Sequence, residues 1–220
     1  MLDFVLLVFT GRLVYLQLIE GANFLIRSED NRLQNIPLFA ERGVIYDRNN
    51  IEIAWNTESD DSSQVPFLYR AYTDRSGHGH VLGYVNYPQT DSSGNYWRFD
   101  IAGQAGLEKK YNELLAGVNG AHLREVDALG ETLSNNTIQT PDDGQNLITT
   151  IDTYIQHYLY EGIKQQAEEY GFQGGAGSIM DIHTGELIAF TSYPEFDPYT
   201  LAEGSDVEKI QGFFKRFFVD

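Results

Sequence analysis

"GAGSIMDIHTGELIAFTSYPEFDP", residues 175–198, decides how the C-terminal part of this chain folds. Ser178, Met180 and Ile182 alternate with Ile179 and Asp181, and Leu187 to Thr191 is a second strand-like run. His183-Thr184-Gly185 supplies the turn between them, with glycine free to take a positive φ. The spacing predicts an antiparallel hairpin, and two strands alone are barely stable in water, so the hairpin must belong to a larger sheet. Just upstream, Asp152 is a good N-cap for a helix over Thr153 to Tyr170, with Ile155, Leu159, Ile163 and Ala167 as its apolar stripe and Gly171 as its close. Asn146 to Ile151 reads as a strand, reached through a linker at Thr140 to Gly144.

Further upstream, "RGVIYDRNNIEIAWN", residues 42–56, reads as a second hairpin: Val44 to Tyr46, a turn over Asp47 to Asn50, then Ile51 to Trp55. Asparagine tolerates the left-handed region, so Asn49-Asn50 can stand where Asn-Gly usually does. Arg42 beside Gly43 suggests a close backbone approach with a guanidinium aimed at a carboxylate. His80 to Val85 reads as a short apolar strand between polar loops at 56–64 and 87–97. "GQAGLEKKYNELLAGVNG", residues 103–120, predicts a short helix with Leu107, Tyr111, Leu114 and Leu115 on one face and Gly117 at its end. His122 to Leu133 predicts two strands about Leu129-Gly130.

Composition sets the outer limits. The chain has 220 residues, 42% hydrophobic and 13% aromatic, with a net charge of −17 and no cysteine. Disorder over most of the length is excluded, as is a nucleic-acid partner, which needs clustered Lys and Arg. Disulfides, thiolate nucleophiles and zinc-thiolate sites are excluded as well. His78 and His80 in "GHGH" lack a partnering carboxylate nearby, so no metal is assigned to them, and no cofactor is expected. Asp47, Glu108 and Asp127 are candidate paired carboxylates for a soluble hydrolase, but nothing in the sequence sets two of them at catalytic separation.

The N-terminus carries an apolar run, Phe4 to Phe9, broken by Thr10-Gly11-Arg12 and resumed by Leu13 to Leu16 and Leu18-Ile19. A spanning helix needs about 20 mostly apolar residues, so the segment is slightly short. It fits either an amphipathic helix packed on the domain or the outer end of a membrane anchor. In the second case Arg12 snorkels at the interface and Tyr15 sits near the aromatic belt. The pattern continues as a helix of about 30 residues, to about Leu33, ending near Ile36-Pro37.

Six of these stretches, in this order, resemble the class B penicillin-binding proteins, in their elongation-type branch, penicillin-binding protein 2. "GRLVYLQLIEG" looks like the end of the family's membrane anchor, and "RGVIYDRNNIEIAWN" is similar to its first pedestal motif, with Asn50 replacing the usual Gly. "GHVLGYV", "GQAGLEKKYNELLAGVNG" and "EVDALG" resemble the motifs that follow. "DGQNLITTID" with its helix and the 175–198 hairpin resembles the opening of the transpeptidase domain.

The resemblance implies an α+β protein: an anchor helix at 1–19, a β-rich pedestal (the non-catalytic, dimerisation-type domain) at 20–142, and the incomplete start of a transpeptidase domain at 143–220, folded as one antiparallel sheet with the helix on a face. It implies a place in the cytoplasmic membrane with the bulk of the chain on the periplasmic side. The implied partners are the membrane and the peptidoglycan synthesis machinery of cell elongation, with its SEDS-type glycan polymerase. The motif residues carried over are Arg42, Gly43, Asp47, Arg48, Gly106, Leu107, Glu108 and Asp127. Because the motifs lie far apart yet recur together, Arg42 or Arg48 is expected within hydrogen-bonding reach of Glu108 or Asp127; the competing expectation is four solvated charges.

In the family a Ser-x-x-Lys serine attacks a D-alanyl-D-alanine peptide. No serine in this chain has a lysine three residues later; Ser205 has Lys209 four on, and Lys-Thr-Gly is absent. The segment 56–77, which builds a head lobe in relatives, is short. The chain therefore reads either as the non-catalytic part of a cross-linking enzyme or as a standalone scaffold for wall-synthesis partners, and either as a fragment or as a shortened protein.

Overall fold

The computed structural model describes residues 2–21, 33–58, 65–92, 94, 96–126 and 132–203. It divides into two compact units, 1–38 with 120–140 and 39–119 with 141–220. These units cut across the motif-based divisions at 19/20 and 142/143.

In the first unit, helix α1 (Leu2–Val14) runs into a π-helical turn at Tyr15–Ile19. Its apolar residues are exposed around the whole circumference, Phe4 at 73%, Leu7 at 72% and Leu18 at 80%. Among the described residues no helix is long and apolar enough to cross a membrane. Strand β1 is Leu33–Leu38, which corrects the expectation that the N-terminal helix extends to this point. Pro37 sits opposite Ala121 on an edge strand, where its missing N–H is tolerated. The predicted strand pair about 129–130 is antiparallel and longer than expected, β9 (Gly120–Val126) with β10 (Thr132–Gln139), and β1 joins it on the other side of β9.

The second unit is built on a four-stranded sheet in the order β11-β2-β3-β4. Strands β2 (Ile45–Tyr46) and β3 (Glu52–Thr57) form the expected hairpin, and β4 is Tyr69–Tyr72. Asn50 closes the turn at φ 61°, and Asp47 folds it from within by accepting the N–H groups of Asn49 and Ile51 at 2.7 and 2.9 Å. Ile45, Ile53, Ala54, Tyr72, Leu82 and Leu115 make the core, and Leu107 and Leu147 pack against it.

Strand β11 is only Leu147–Ile148 and runs parallel to β2. The expectation that this segment shares one antiparallel sheet with the hairpin is therefore corrected. The chain is drawn alongside β2 because Gly43 passes so close to Gln145 that a Cβ would collide with its carbonyl. Leu147 N–H then reaches Val44 O at 2.9 Å.

A second correction concerns "GHVLGYV". Gly79–Leu82 is a helical turn, α2, and the strand is only Val85–Asn86, β5. The chain then forms a small hairpin, β6 (Gln89–Thr90) with β7 (Tyr96–Arg98), and β8 (Ala102–Gly103) pairs back onto β5. The helix expected near Leu107 is two turns, α3 (Gly106–Lys110) and α4 (Asn112–Leu115), broken at Tyr111.

Helix α5 (Thr153–Tyr170) has the predicted boundaries and caps. Asp152 accepts from the N–H groups of Tyr154 and Ile155, and Gly171 is left-handed at φ 71°. Its fully buried residues are Thr153, Gln156, Tyr160 and Ala167; of the predicted stripe Ala167 is buried, Leu159 and Ile163 are half-buried, and Ile155 alone is exposed. Among the described residues the hairpin β12 (Gly175–Met180) and β13 (Leu187–Tyr193) is two strands wide, and the helix packs on both strands, more on β13. Leu159 and Ile163 fill the space above Gly177. A last helix, α6 (Pro198–Glu203), follows.

Candidate functional site

The two arrangements that hold this unit together are polar and buried. In the first, Glu108 bridges two arginines. Arg42 Nε donates to Glu108 Oε2 at 2.7 Å and Arg70 Nε donates to Oε1 at 2.7 Å. The three side chains are essentially inaccessible, 1% or less exposed. Three of the four remaining Arg42 N–H groups donate to Ile101 O at 2.9 Å, Glu108 O at 3.0 Å and Asn112 Oδ1 at 3.0 Å. Asn56 closes the ring, donating to Arg42 O at 2.6 Å and accepting from Arg70 Nη1 at 3.0 Å.

Local sequence explains how these groups arrive. Gly43 brings Arg42 in against the 145–147 segment, and Arg70 sits on the inward side of β4. Gly106 starts α3 at φ 56°, at a point where a Cβ would strike the backbone of Val81 to Gly83. Glu108 is then in the first turn, with its carboxylate between both guanidinium groups. Burial works against the Arg42 charge and lowers its pKa, while the Glu108 carboxylate works in the opposite direction.

The expected clamp is therefore made by Arg42 and Glu108. Arg48 takes no part: it is exposed and 3.6 Å from Glu186. Asp47 is fully buried and holds a different joint, accepting Thr153 N–H at 3.2 Å. Leu107 packs on the core, and Asp127 lies outside the described residues. Arg70 was not legible as a partner, although a lone arginine within the apolar run "FLYRAY" was its signal.

The second arrangement is a seam at residues 75–79, where the segment after β4 meets α5 and β13. The amide of Gln156 is used in full: Nε2 donates to Gly77 O at 2.5 Å and Phe190 O at 2.7 Å, and Oε1 accepts Phe190 N–H at 2.7 Å. Thr191 Oγ1 also donates to Gly77 O at 2.9 Å. Glu195 accepts Gly77 N–H at 2.7 Å on one oxygen and Gly79 N–H at 2.9 Å on the other. Burial raises the Glu195 pKa, and these two amides partly offset that.

Both ring nitrogens of His78 are engaged. Its Nδ1 lies 3.0 Å from Arg75 O and its Nε2 2.9 Å from Thr153 Oγ1, which fits a neutral ring with the proton on Nδ1. Burial lowers its pKa, and among the described residues no cluster could hold a metal. Tyr199 completes the seam: its hydroxyl accepts Tyr72 N–H at 2.8 Å and donates to Tyr72 O at 3.2 Å, covering the free edge of β4.

One local trio has the residue types of a hydrolase triad. Ser76 Oγ lies 3.0 Å from His157 Nδ1, but it donates to Glu161 Oε1 at 2.7 Å. In a catalytic triad the serine donates to the histidine and the acid orients the histidine; here the serine donates to Glu161, so the triad arrangement is not formed. Both arrangements act as clamps that fix backbone segments against one another.

Comparison with known proteins follows the same outline. Residues 65–149 match the family described as the Penicillin-binding Protein dimerisation domain. The probable peptidoglycan D,D-transpeptidase PenA of Neisseria gonorrhoeae is 29% identical over 134 residues, 60% of this chain and 21% of that protein. The peptidoglycan D,D-transpeptidase MrdA of Escherichia coli is 22% identical over 90% of this chain and 42% of its own length. The chain thus spans between about a fifth and two fifths of these relatives. Among solved structures, penicillin-binding protein 3 of Mycobacterium tuberculosis, complexed with aztreonam, superposes at a TM-score of 0.54 with 25% identity, over 74% of this chain and 30% of that one. Residues 65–149 are thus a penicillin-binding protein dimerisation domain, and the chain as a whole is similar to peptidoglycan D,D-transpeptidases.

Proposed function

We propose that this chain is the support section of a peptidoglycan D,D-transpeptidase, carried on the extracytoplasmic face of the cytoplasmic membrane. Its pedestal fixes the first strand, helix and hairpin of an acyl-transfer domain in place. The observation that carries this reading is the seam at 75–79. There the buried side chains of Gln156 and Thr191 and the half-buried carboxylate of Glu195 all close on the backbone of Gly77 to Gly79. A flexible tether would not need buried, fully used polar groups, which are costly unless every partner is in place.

The N-terminal helix supports a membrane role. Burying its exposed Phe4, Leu7 and Phe9 in acyl chains is favourable at roughly 25 cal/mol per Å². Arg12 lies 5.3 Å over the Tyr15 ring, a pair suited to the headgroup level. The partners in this reading are membrane-embedded: the glycan polymerase and the elongation machinery that a transpeptidase pedestal serves. The chain has no Ser-x-x-Lys, so its own role is positioning, with no acyl transfer assigned to it.

Fractionation tests the reading. The 220-residue chain, exported to the periplasm, should stay with the membrane after a high-salt wash, and site-specific photo-crosslinks from the pedestal should capture a membrane-embedded polymerase. Removing residues 1–19 should release it. Release of the intact chain by the salt wash, or crosslinks confined to soluble proteins, would overturn the proposal.

A further inference from the structure

Phe67, Tyr69, Tyr87 and Tyr96 line a cavity of about 440 Å³ beside β4 and the β6–β7 hairpin. That volume falls in the roughly 300–1,000 Å³ range of small-ligand sites. The walls are set in advance. Phe67 and Tyr87 stack at 6.0 Å, Tyr69 and Tyr87 meet at 4.9 Å, and Phe39 holds Tyr96 edge-on at 5.3 Å. The Tyr87 hydroxyl is anchored by Arg70 N–H at 2.8 Å. A ligand would have little ordering of these rings to bring about on arrival.

Between the rings stand Asn86, Gln89, Thr90 and Arg98. The side-chain amides of Asn86 and Gln89 and the Thr90 hydroxyl have no hydrogen-bond partner among the described residues. Arg98 lies 4.8 Å over the Trp97 ring, which orients the guanidinium without using its N–H donors. Although the chain has a net charge of −17, no carboxylate is among the described residues lining this cavity. Burial raises the pKa of Tyr96 and pushes that of Tyr87 up to about 12, so both phenols are neutral near pH 7.

This lining selects a ligand class. A cation would meet a guanidinium and no counter-charge. A purely apolar ligand would leave three free amide and guanidinium groups dry and unpaired. A polyanion would need more than one cation. A pyranose offers a C–H face to aromatic rings and hydroxyl and acylamino groups to Asn86 and Gln89.

We propose that this cavity binds an N-acetylated pyranose oligosaccharide bearing a carboxylate, with the sugar faces against Tyr87 and Tyr96 and the carboxylate on Arg98. The assignment of this sugar to wall glycan stripped of its stem peptides, where the lactyl carboxylate of the muramic acid is free, rests on the functional reading above.

Titration of the ¹⁵N-labelled chain with the disaccharide N-acetylglucosaminyl-N-acetylmuramic acid tests the proposal. Saturable shifts in the millimolar range at Asn86, Gln89 and Arg98 are expected. Di-N-acetylchitobiose, which lacks the carboxylate, should bind about tenfold more weakly. Tyr96→Ala should abolish binding. Since Tyr96 also packs on Phe39, the more exposed Gln89→Ala and Arg98→Gln serve beside it: the first should weaken both sugars, the second should erase the preference for the carboxylate sugar alone. Absence of saturable shifts, equal affinity for the two sugars, or indifference to Arg98→Gln overturns the proposal. Binding of a proline-rich peptide in place of either sugar overturns it as well. Failure here leaves the membrane and crosslinking results untouched, because those measurements use neither sugar nor any of these residues.

Discussion

Replacing Glu108 by alanine removes the single anion between two buried guanidinium groups. Arg42 and Arg70 each lose a 2.7 Å charge-assisted bond, and neither can reach water in place, since both side chains are 1% exposed. Arg42 keeps Ile101 O, the backbone O of residue 108 and Asn112 as neutral acceptors, while among the described residues Arg70 keeps only Asn56 and already has Nη2 unpartnered. Breaking a buried pair by deleting one partner costs about 3–5 kcal/mol. In a protein of this size each kcal/mol moves Tm by roughly 2–4 °C, so a fall of roughly 6–20 °C is expected by calorimetry.

The cause is stranded charge rather than lost volume, and the triple variant Arg42→Met, Glu108→Leu, Arg70→Met separates the two. With no charge left, its stability should return to within about 1–2 kcal/mol of the parent, as apolar replacement of buried ion networks commonly does. A Glu108→Ala protein melting within about a degree of the parent would refute the reasoning, since that shift corresponds to under about 0.5 kcal/mol. Equal loss in the single and triple variants would refute the assignment to charge.

Gly43→Ala drives a Cβ into the Gln145 carbonyl and should destabilise by about 1–3 kcal/mol in urea unfolding, with the β2–β11 pairing lost first. Tyr199→Phe removes the hydroxyl that serves both Tyr72 backbone groups; with water able to reach part of the site, about 1 kcal/mol is expected, together with faster exchange of the Tyr72 amide. His78 is held neutral, with its folded pKa below 6.5, so the unfolded chain binds the extra proton. Its contribution is complete above pH 6.5 and is lost as pH falls below that value. Glu195, raised above 4.5, acts in the opposite direction on acidification. His78→Gln should therefore flatten the loss of stability that urea midpoints show just below pH 6.5 in the parent. A fluorescent penicillin should leave the 220-residue chain unlabelled on denaturing gels, because acylation needs the Ser-x-x-Lys that it lacks.

What the sequence determined by itself is what neighbours along the chain determine. The Asp47 to Asn50 turn, the Asp152 cap, the Gly171 stop and the 175–193 hairpin follow from groups a few residues apart, and they stand where expected. The Arg42–Glu108 clamp was legible because Gly43 signalled a close approach and the motif order implied that distant segments meet. Tertiary structure alone decided the rest. Leu33–Leu38 is a strand because β9 lies beside it, and Gly79–Leu82 is helical because Glu195 takes the amides of Gly77 and Gly79 at its start. Leu147–Ile148 leaves the hairpin's sheet because β2 offers it partners. Arg70, Glu195 and Tyr199 find their acceptors and donors 38, 116 and 127 residues away. Nothing in a local pattern encodes a partner that only the folded chain brings within hydrogen-bonding reach.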